Sequence, residues 1–257
     1  MCAKSFANYE QKPYIKTMNA QNTAQSTILI ICHGDAPRIG CLGELLQRHN
    51  LAHKICMAGL GEPMPKDPQQ FAGIIIMGGA MSIYEKDHLD WLCAEMLWLE
   101  NAMKRGIPVF GICLGGQMLA HIFGGDVLAG QHGQNIGFGN IALLNKDDPV
   151  FGDELSGKRV FFWHGDTYTL KNGTQLAKGD TYPQQAARYQ QGVYGVQFHP
   201  ETTKKQIEHW YRRDIIDAQM TTSPIAGDLG QLLVEADECL PPVHTWLQNF
   251  TGRLFLA

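Results

Sequence analysis

Three short apolar runs constrain this chain more than anything else in it. Ile28–Cys32 (ILIIC), Gly73–Met77 (GIIIM) and Val109–Cys113 (VFGIC) are continuous rather than alternating, as strands covered on both faces of a parallel sheet must be. Segments with helical spacing separate and follow them: Leu42–His49, Leu89–Lys104 and Gly116–Phe123. Such alternation predicts βαβ crossovers and an α/β three-layer sandwich, with ligands at the carboxyl ends of the strands. From Val127 to Phe198 the pattern changes to runs punctuated by Gly, Asn and Asp (IGFGNIALL, RVFFWH, AARYQQGVYGVQFH). These read as added antiparallel ribbons and edge strands. Helical spacing returns after Thr202 and predicts helices that pack back on the sheet. Within Leu89–Lys104, Trp91, Leu92, Met96, Leu97 and Leu99 read as a buried face.

The length of 257 residues suits one large domain, or one domain with a small appendage. Residues 1–26 are polar and aperiodic, so they are expected to form an N-terminal extension before a domain over 27–257; they hold no apolar h-region. A formal charge of −4 gives no basic excess and argues against a nucleic-acid partner. Ile107–Gly125 carries no charge, yet Pro108, Gln117, His121 and its glycines suit a strand, a turn and a short helix better than a membrane span. Seven cysteines without a CxxC pair predict a reduced, cytoplasmic chain. No phosphate loop is present, and His49, His53 and Cys56 lack the spacing of a metal frame. Neither a metal nor a cofactor is expected.

The chemistry is concentrated in Gly111-Ile112-Cys113-Leu114-Gly115-Gly116, where an apolar strand meets a helix. This is the Cys form of a nucleophile elbow, in which a sharp turn strains the nucleophile and glycines prevent collisions. The helix N-terminus would favour a thiolate at Cys113 and offer the Leu114 N–H to an oxyanion. A structural Cys in a glycine-rich turn is the alternative. A thiolate needs a base and the base an orienter; His199-Pro200-Glu201, at the end of the GVYGVQF run, supplies both residue types. By itself HPE could equally be a loop His followed by a helix-capping Glu. Met77-Gly78-Gly79 after GIIIM makes the Gly79 N–H a second oxyanion candidate or an ordinary βα turn. Cys32-His33-Gly34 has no glycine-tight turn into a helix and reads as a core or loop Cys.

In combination and order, GICLGGQ, GVQFHPE and the MGG turn resemble the class I (triad) glutamine amidotransferase family over about Thr27 to Trp210. The resemblance implies a flavodoxin-like sheet with Cys113 as nucleophile, His199 as base and Glu201 as its orienter. It also implies ammonia release from glutamine through a thioester, oxyanion donors at Gly79 and Leu114, and contact of Gln117 with bound glutamine. Phe162-Trp163-His164-Gly165-Asp166 resembles the SHGD segment of GMP synthetase glutaminase domains. That match makes Asp166, with His164 beside it, a substrate-binding candidate through the α-amino group, although Trp163 replaces Ser. The WHGD form and the MGGAMSIYEKD stretch look most like free-standing GMP-synthetase-like amidotransferases and the related γ-glutamyl peptidases.

Two reactions share this triad: glutamine hydrolysis feeding ammonia to an acceptor synthetase in trans, and hydrolysis of a γ-glutamyl amide or peptide. An α/β-hydrolase ordered Cys113, Asp166, His199 is a third reading and leaves Glu201 without a role. A non-enzymatic ligand-binding relative is a fourth, which the intact Cys, His and Glu argue against.

Overall fold

The computed structural model describes residues 26–86, 88–217 and 228–256; the expected extension lies outside them except for its last residue. The chain runs β1 (Thr27–Ile31), α1 (Leu42–Arg48), β2 (Ala52–Cys56), β3 (Gly73–Ile76), α2 (Asp90–Lys104), β4 (Val109–Ile112) and α3 (Leu114–Ile122). Then follow β5 (Val127–Ala129), β6 (Asn135–Leu143), β7 (Arg159–His164), β8 (Asp166–Tyr168), β9 (Thr174–Gly179), β10 (Ala186–Gln190), β11 (Val193–Val196), α4 (Lys204–Trp210) and α5 (Leu229–Phe255).

A nine-stranded sheet has the order β2-β1-β3-β4-β11-β10-β9-β6-β7. Its first five strands are parallel, in the 2-1-3-4-5 order of flavodoxin-like folds. The remaining four join antiparallel, so the addition is a continuation of the main sheet. A separate β5-β8 ribbon lies beside it.

Alternation along β1 assigns the layers. Ile28 and Ile30 join Leu42, Trp246 and Phe250 of α1 and α5 on one face, while Leu29 and Ile31 join Leu92, Met96, Leu99 and Met118 of α2 and α3 on the other. A period of two that is apolar at every position yields a strand buried on both sides. A third cluster, including Phe138, Phe161, Ile207 and Leu240, seats α4 and the start of α5 on the antiparallel extension.

Two expectations change. The GVYGVQF run, expected among ribbons and edges, supplies the central strand β11, fully buried and parallel to β4 as well as paired with β10. It completes a hairpin with β10, so the local antiparallel signal was real while its place in the sheet is set by β4. Leu97 is 55% exposed, because it falls out of phase with the Leu92–Met96–Leu99 stripe. Cys32, Cys41, Cys56, Cys113 and Cys239 are free thiols among the described residues. Among the described residues no helix is long and apolar enough to cross a membrane. The uncharged Ile107–Gly125 stretch divides into β4, the elbow and α3.

Candidate active site

Cys113 sits between β4 and α3 with φ 52° and ψ −106°, a region that an L-residue enters only under constraint. Glycines supply that constraint. A methyl group on Gly111 would lie 2.4 Å from Gly115 O, one on Gly115 2.3 Å from Ile76 O, and one on Gly116 2.6 Å from Val196 O. The strand-to-helix turn is therefore packed backbone on backbone, and α3 starts immediately beyond Cys113. Leu114 is its first residue, so the Leu114 N–H is among those with no intrahelical acceptor.

Strand β11 ends beside β4 and brings His199 to Cys113. Nδ1 of His199 lies 2.9 Å from Glu201 Oε1, and a methyl group on Gly78 would come within 3.5 Å of both His199 Cε1 and Cys113 Cβ, so the imidazole faces the thiol. Both members of the His–Glu pair are buried. Burial by itself would lower the His199 pKa, but the Glu201 carboxylate and Cys113 outweigh it and raise it to about 10. Glu201 Oε2 has no hydrogen-bond partner among the described residues, so His199 is the group its charge meets. Trp210 of α4 covers the imidazole edge-on at 5.0 Å.

The Met77–Gly79 turn follows β3 on the opposite side of the thiol. A methyl group on Gly78 would come 3.0 Å from His199 Cε1 and 3.5 Å from Cys113 Cβ. One on Gly79 would meet Leu114 Cδ2 at 2.7 Å and Met81 Sδ at 2.6 Å. Both candidate oxyanion positions thus adjoin Cys113. Cys113, His199, Glu201, Gly78, Gly79 and Trp210 border a cleft of about 540 Å³ at the carboxyl ends of the parallel strands, where open α/β sheets hold ligands.

Asp166 lies across the cleft. Its Oδ2 accepts from Ser82 Oγ at 2.5 Å and its Oδ1 from Tyr84 OH at 3.4 Å, both neutral donors. His164 Nδ1–H donates to Asp166 O at 2.9 Å; burial drives its pKa down to about 4, so this imidazole is neutral and holds backbone. Gln117 Nε2 donates to Gln197 Oε1 at 3.1 Å. The alternative triad through Asp166 is not formed: its carboxylate is turned to Ser82 and Tyr84, and His199 Nδ1 to Glu201.

Sequence reasoning missed Gln197, which is fully buried with Nε2 3.7 Å from Cys113 Sγ. Its signal was present, because residues two apart on extended backbone share a face and Gln197 precedes His199 by two. It also missed Glu95, a charge within the apolar stripe of α2 that reaches His33. His49 Nε2 lies 2.8 Å from Gln248 O, His53 is exposed on β2 and Cys56 is buried.

The model of the glutamine amidotransferase class-I family matches residues 49–218, which include Cys113, His199 and Glu201. The chain belongs to that family. It is 37% identical over 135 residues to a GMP synthase [glutamine-hydrolyzing] of Wolinella succinogenes, covering 50% of this chain and 24% of that protein. Against the Pseudomonas syringae pv. syringae GMP synthase it is 34% identical over 172 residues, covering 61% and 31%. The chain therefore spans less than a third of the length of these curated relatives. A solved glutamine amidotransferase from Thermotoga maritima superposes with a TM-score of 0.79 at 24% identity, over 90% of this chain and 98% of that one. Another from Methylobacillus flagellatus gives 0.78 at 21%, over 90% and 94%. These two establish the fold.

Proposed function

We propose that this chain hydrolyses the γ-amide of glutamine through a thioester on Cys113, as a glutaminase of the amidotransferase type. The observation that carries the reading is Cys113, strained at a helix N-terminus and facing a His199 whose pKa the Glu201 carboxylate and Cys113 raise to about 10. The Cys113 thiolate attacks the γ-carbonyl carbon, and the Gly79 and Leu114 N–H groups receive the oxyanion. Collapse breaks the C–N bond, with His199 giving its proton to the departing ammonia. A water then loses a proton to His199 and attacks the thioester, releasing glutamate and restoring the thiolate–imidazolium pair. Asp166, which accepts from the Ser82 and Tyr84 hydroxyls, would receive the substrate ammonium, with Gln117 beside the bound glutamine and His164 holding the Asp166 backbone. The ammonia would serve an acceptor synthetase in trans.

A γ-glutamyl amide or peptide is the second substrate class, favoured by one feature. The cleft runs past His199 to Trp210, Arg213 and Asp214, which leaves room for a leaving group larger than ammonia. Glutamate release from glutamine and from a γ-glutamyl dipeptide, with Cys113→Ala as control, separates the two. Release from glutamine supports the ammonia donor, release from the dipeptide alone supports the second class, and release that survives Cys113→Ala overturns both.

A further inference from the structure

A second buried His–carboxylate pair lies at the end of β1, outside the triad. His33 Nε2 is 3.1 Å from both Glu95 carboxylate oxygens, and the two side chains are wholly inaccessible. His33 Nδ1 faces Met77 O at 3.1 Å and Gly78 O at 3.4 Å. Carbonyl and carboxylate oxygens only accept, so both ring nitrogens carry hydrogen and His33 is an imidazolium. Burial opposes that charge and Glu95 outweighs it, raising the His33 pKa. Trp91 stacks over the ring at 5.9 Å.

The two carbonyls that His33 grips belong to the peptides whose N–H groups are those of Gly78 and Gly79. No described peptide is cis, and in a planar trans peptide the N–H points opposite to the C=O. Drawing the Gly78 carbonyl toward α2 therefore turns the Gly79 N–H away from α2. A methyl group on Gly79 would stand 2.9 Å from His33 Cβ, so the imidazolium lies directly behind this turn.

We propose that His33, charged and anchored by Glu95, is a positioning residue that locks the Met77–Gly79 backbone with the Gly79 N–H set for the oxyanion. The proposal rests on the glutaminase reading for the role of that N–H. It assigns to this chain an internal device that orders the oxyanion turn without a partner protein.

The test uses the full chain with two double variants. His33→Leu with Glu95→Leu removes the strut and replaces a buried ion pair by apolar volume, a change that need not destabilise. His33→Asn with Glu95→Gln keeps a donor facing Gly78 O. The first is expected to lower kcat for the preferred substrate about 10- to 100-fold with KM little changed, and the second to restore most of it. A kcat within about twofold of the parent in the double-leucine chain, or a loss carried by KM alone, overturns the proposal. Should the double-leucine chain not fold, His33→Phe with Glu95→Met, which also removes the donor while keeping apolar volume, takes its place with the same readouts. If the parent hydrolyses neither glutamine nor a γ-glutamyl dipeptide, the glutaminase reading fails and the strut is judged by amide hydrogen exchange at Gly78 and Gly79. Faster exchange in the double-leucine chain sustains the lock and unchanged exchange overturns it.

Discussion

Two places among the described residues put a cysteine and a buried histidine–carboxylate pair at the end of a parallel strand, and only one of them carries the turn that the proposed reaction needs. At the end of β1, Cys32 adjoins His33 and Glu95; at the end of β4, Cys113 adjoins His199 and Glu201. Both imidazoles are held above their usual range by a carboxylate. The backbone makes the difference. Cys113 is turned into a positive φ at the head of α3 with glycines on either side, whereas Cys32 leaves β1 with no helix starting behind it, and burial pushes its thiol up to about 12. Residue types alone do not make a nucleophile; the turn that aims one and the helix terminus that favours its charge do.

The comparison breaks first at the two thiols. Cys113→Ala should reduce glutamate release by roughly 10⁴-fold or more with the thermal midpoint little changed. Cys32→Ala should leave kcat/KM within about twofold while costing about 1 kcal/mol of stability for the lost buried sulfur. Equal losses of activity in the two would mean that the elbow is not what selects Cys113. Glycines give the next largest contrast. In Gly115→Ala the new methyl meets Ile76 O at 2.3 Å, whereas in Gly34→Ala the nearest atom is Ala36 O at 3.7 Å. Melting curves should show the first destabilised by roughly 2–3 kcal/mol and the second within about 0.5 kcal/mol of the parent.

That contrast also marks what the sequence could reveal. The elbow was legible because its glycines, apolar strand and helix are contiguous. Strands β1, β3 and β4 were legible because strands covered on both faces are uniformly apolar, whereas β2, AHKIC with its first three residues exposed, carried no such signal. His199 and Glu201 were legible as a motif, while their approach to Cys113 depends on β11 entering beside β4. The hairpin pattern of β10 and β11 concealed that position, since a strand paired both ways carries the signal of only one partner. The His33–Glu95 pair was hidden differently. His33 read as part of a misleading ICHG string, and Glu95 lay inside a stripe read as wholly apolar, although a charge on a buried helix face demands a partner.

The third contrast concerns the two carboxylates. Glu201→Gln keeps an acceptor for His199 but removes the charge that raises it to about 10. Turnover should fall about 10- to 100-fold, and the alkaline limb of the kcat/KM profile should move down from near pH 10 toward neutrality. The sign for stability follows. A folded pKa above the unfolded value of 6.5 means that His199 contributes stability fully below about pH 6.5 and loses it as pH rises through about 10. The Glu201→Gln protein should therefore show a weaker fall in melting temperature across that window, and an unshifted pH–rate profile would separate Glu201 from His199.

The smallest expected effect lies on the substrate side. Ser82 Oγ donates to Asp166 Oδ2 at 2.5 Å, and its backbone N–H donates to Glu85 Oε2 at 2.6 Å, so this residue ties the turn after Gly79 to the carboxylate proposed to meet the substrate ammonium. Ser82→Ala removes one neutral donor and leaves Asp166 charged, with Tyr84 still near Oδ1. A lost hydrogen bond to a charged group is worth about 1.5–3 kcal/mol when its partner stays buried. Asp166 is only partly buried, so water replaces much of that bond and the effect should be smaller. KM for glutamine should rise about three- to tenfold with kcat nearly constant, because the carboxylate is repositioned while Cys113 and His199 are untouched. A fall in kcat at constant KM would place Asp166 with the reacting atoms instead, and would reopen the question of which carboxylate His199 answers to.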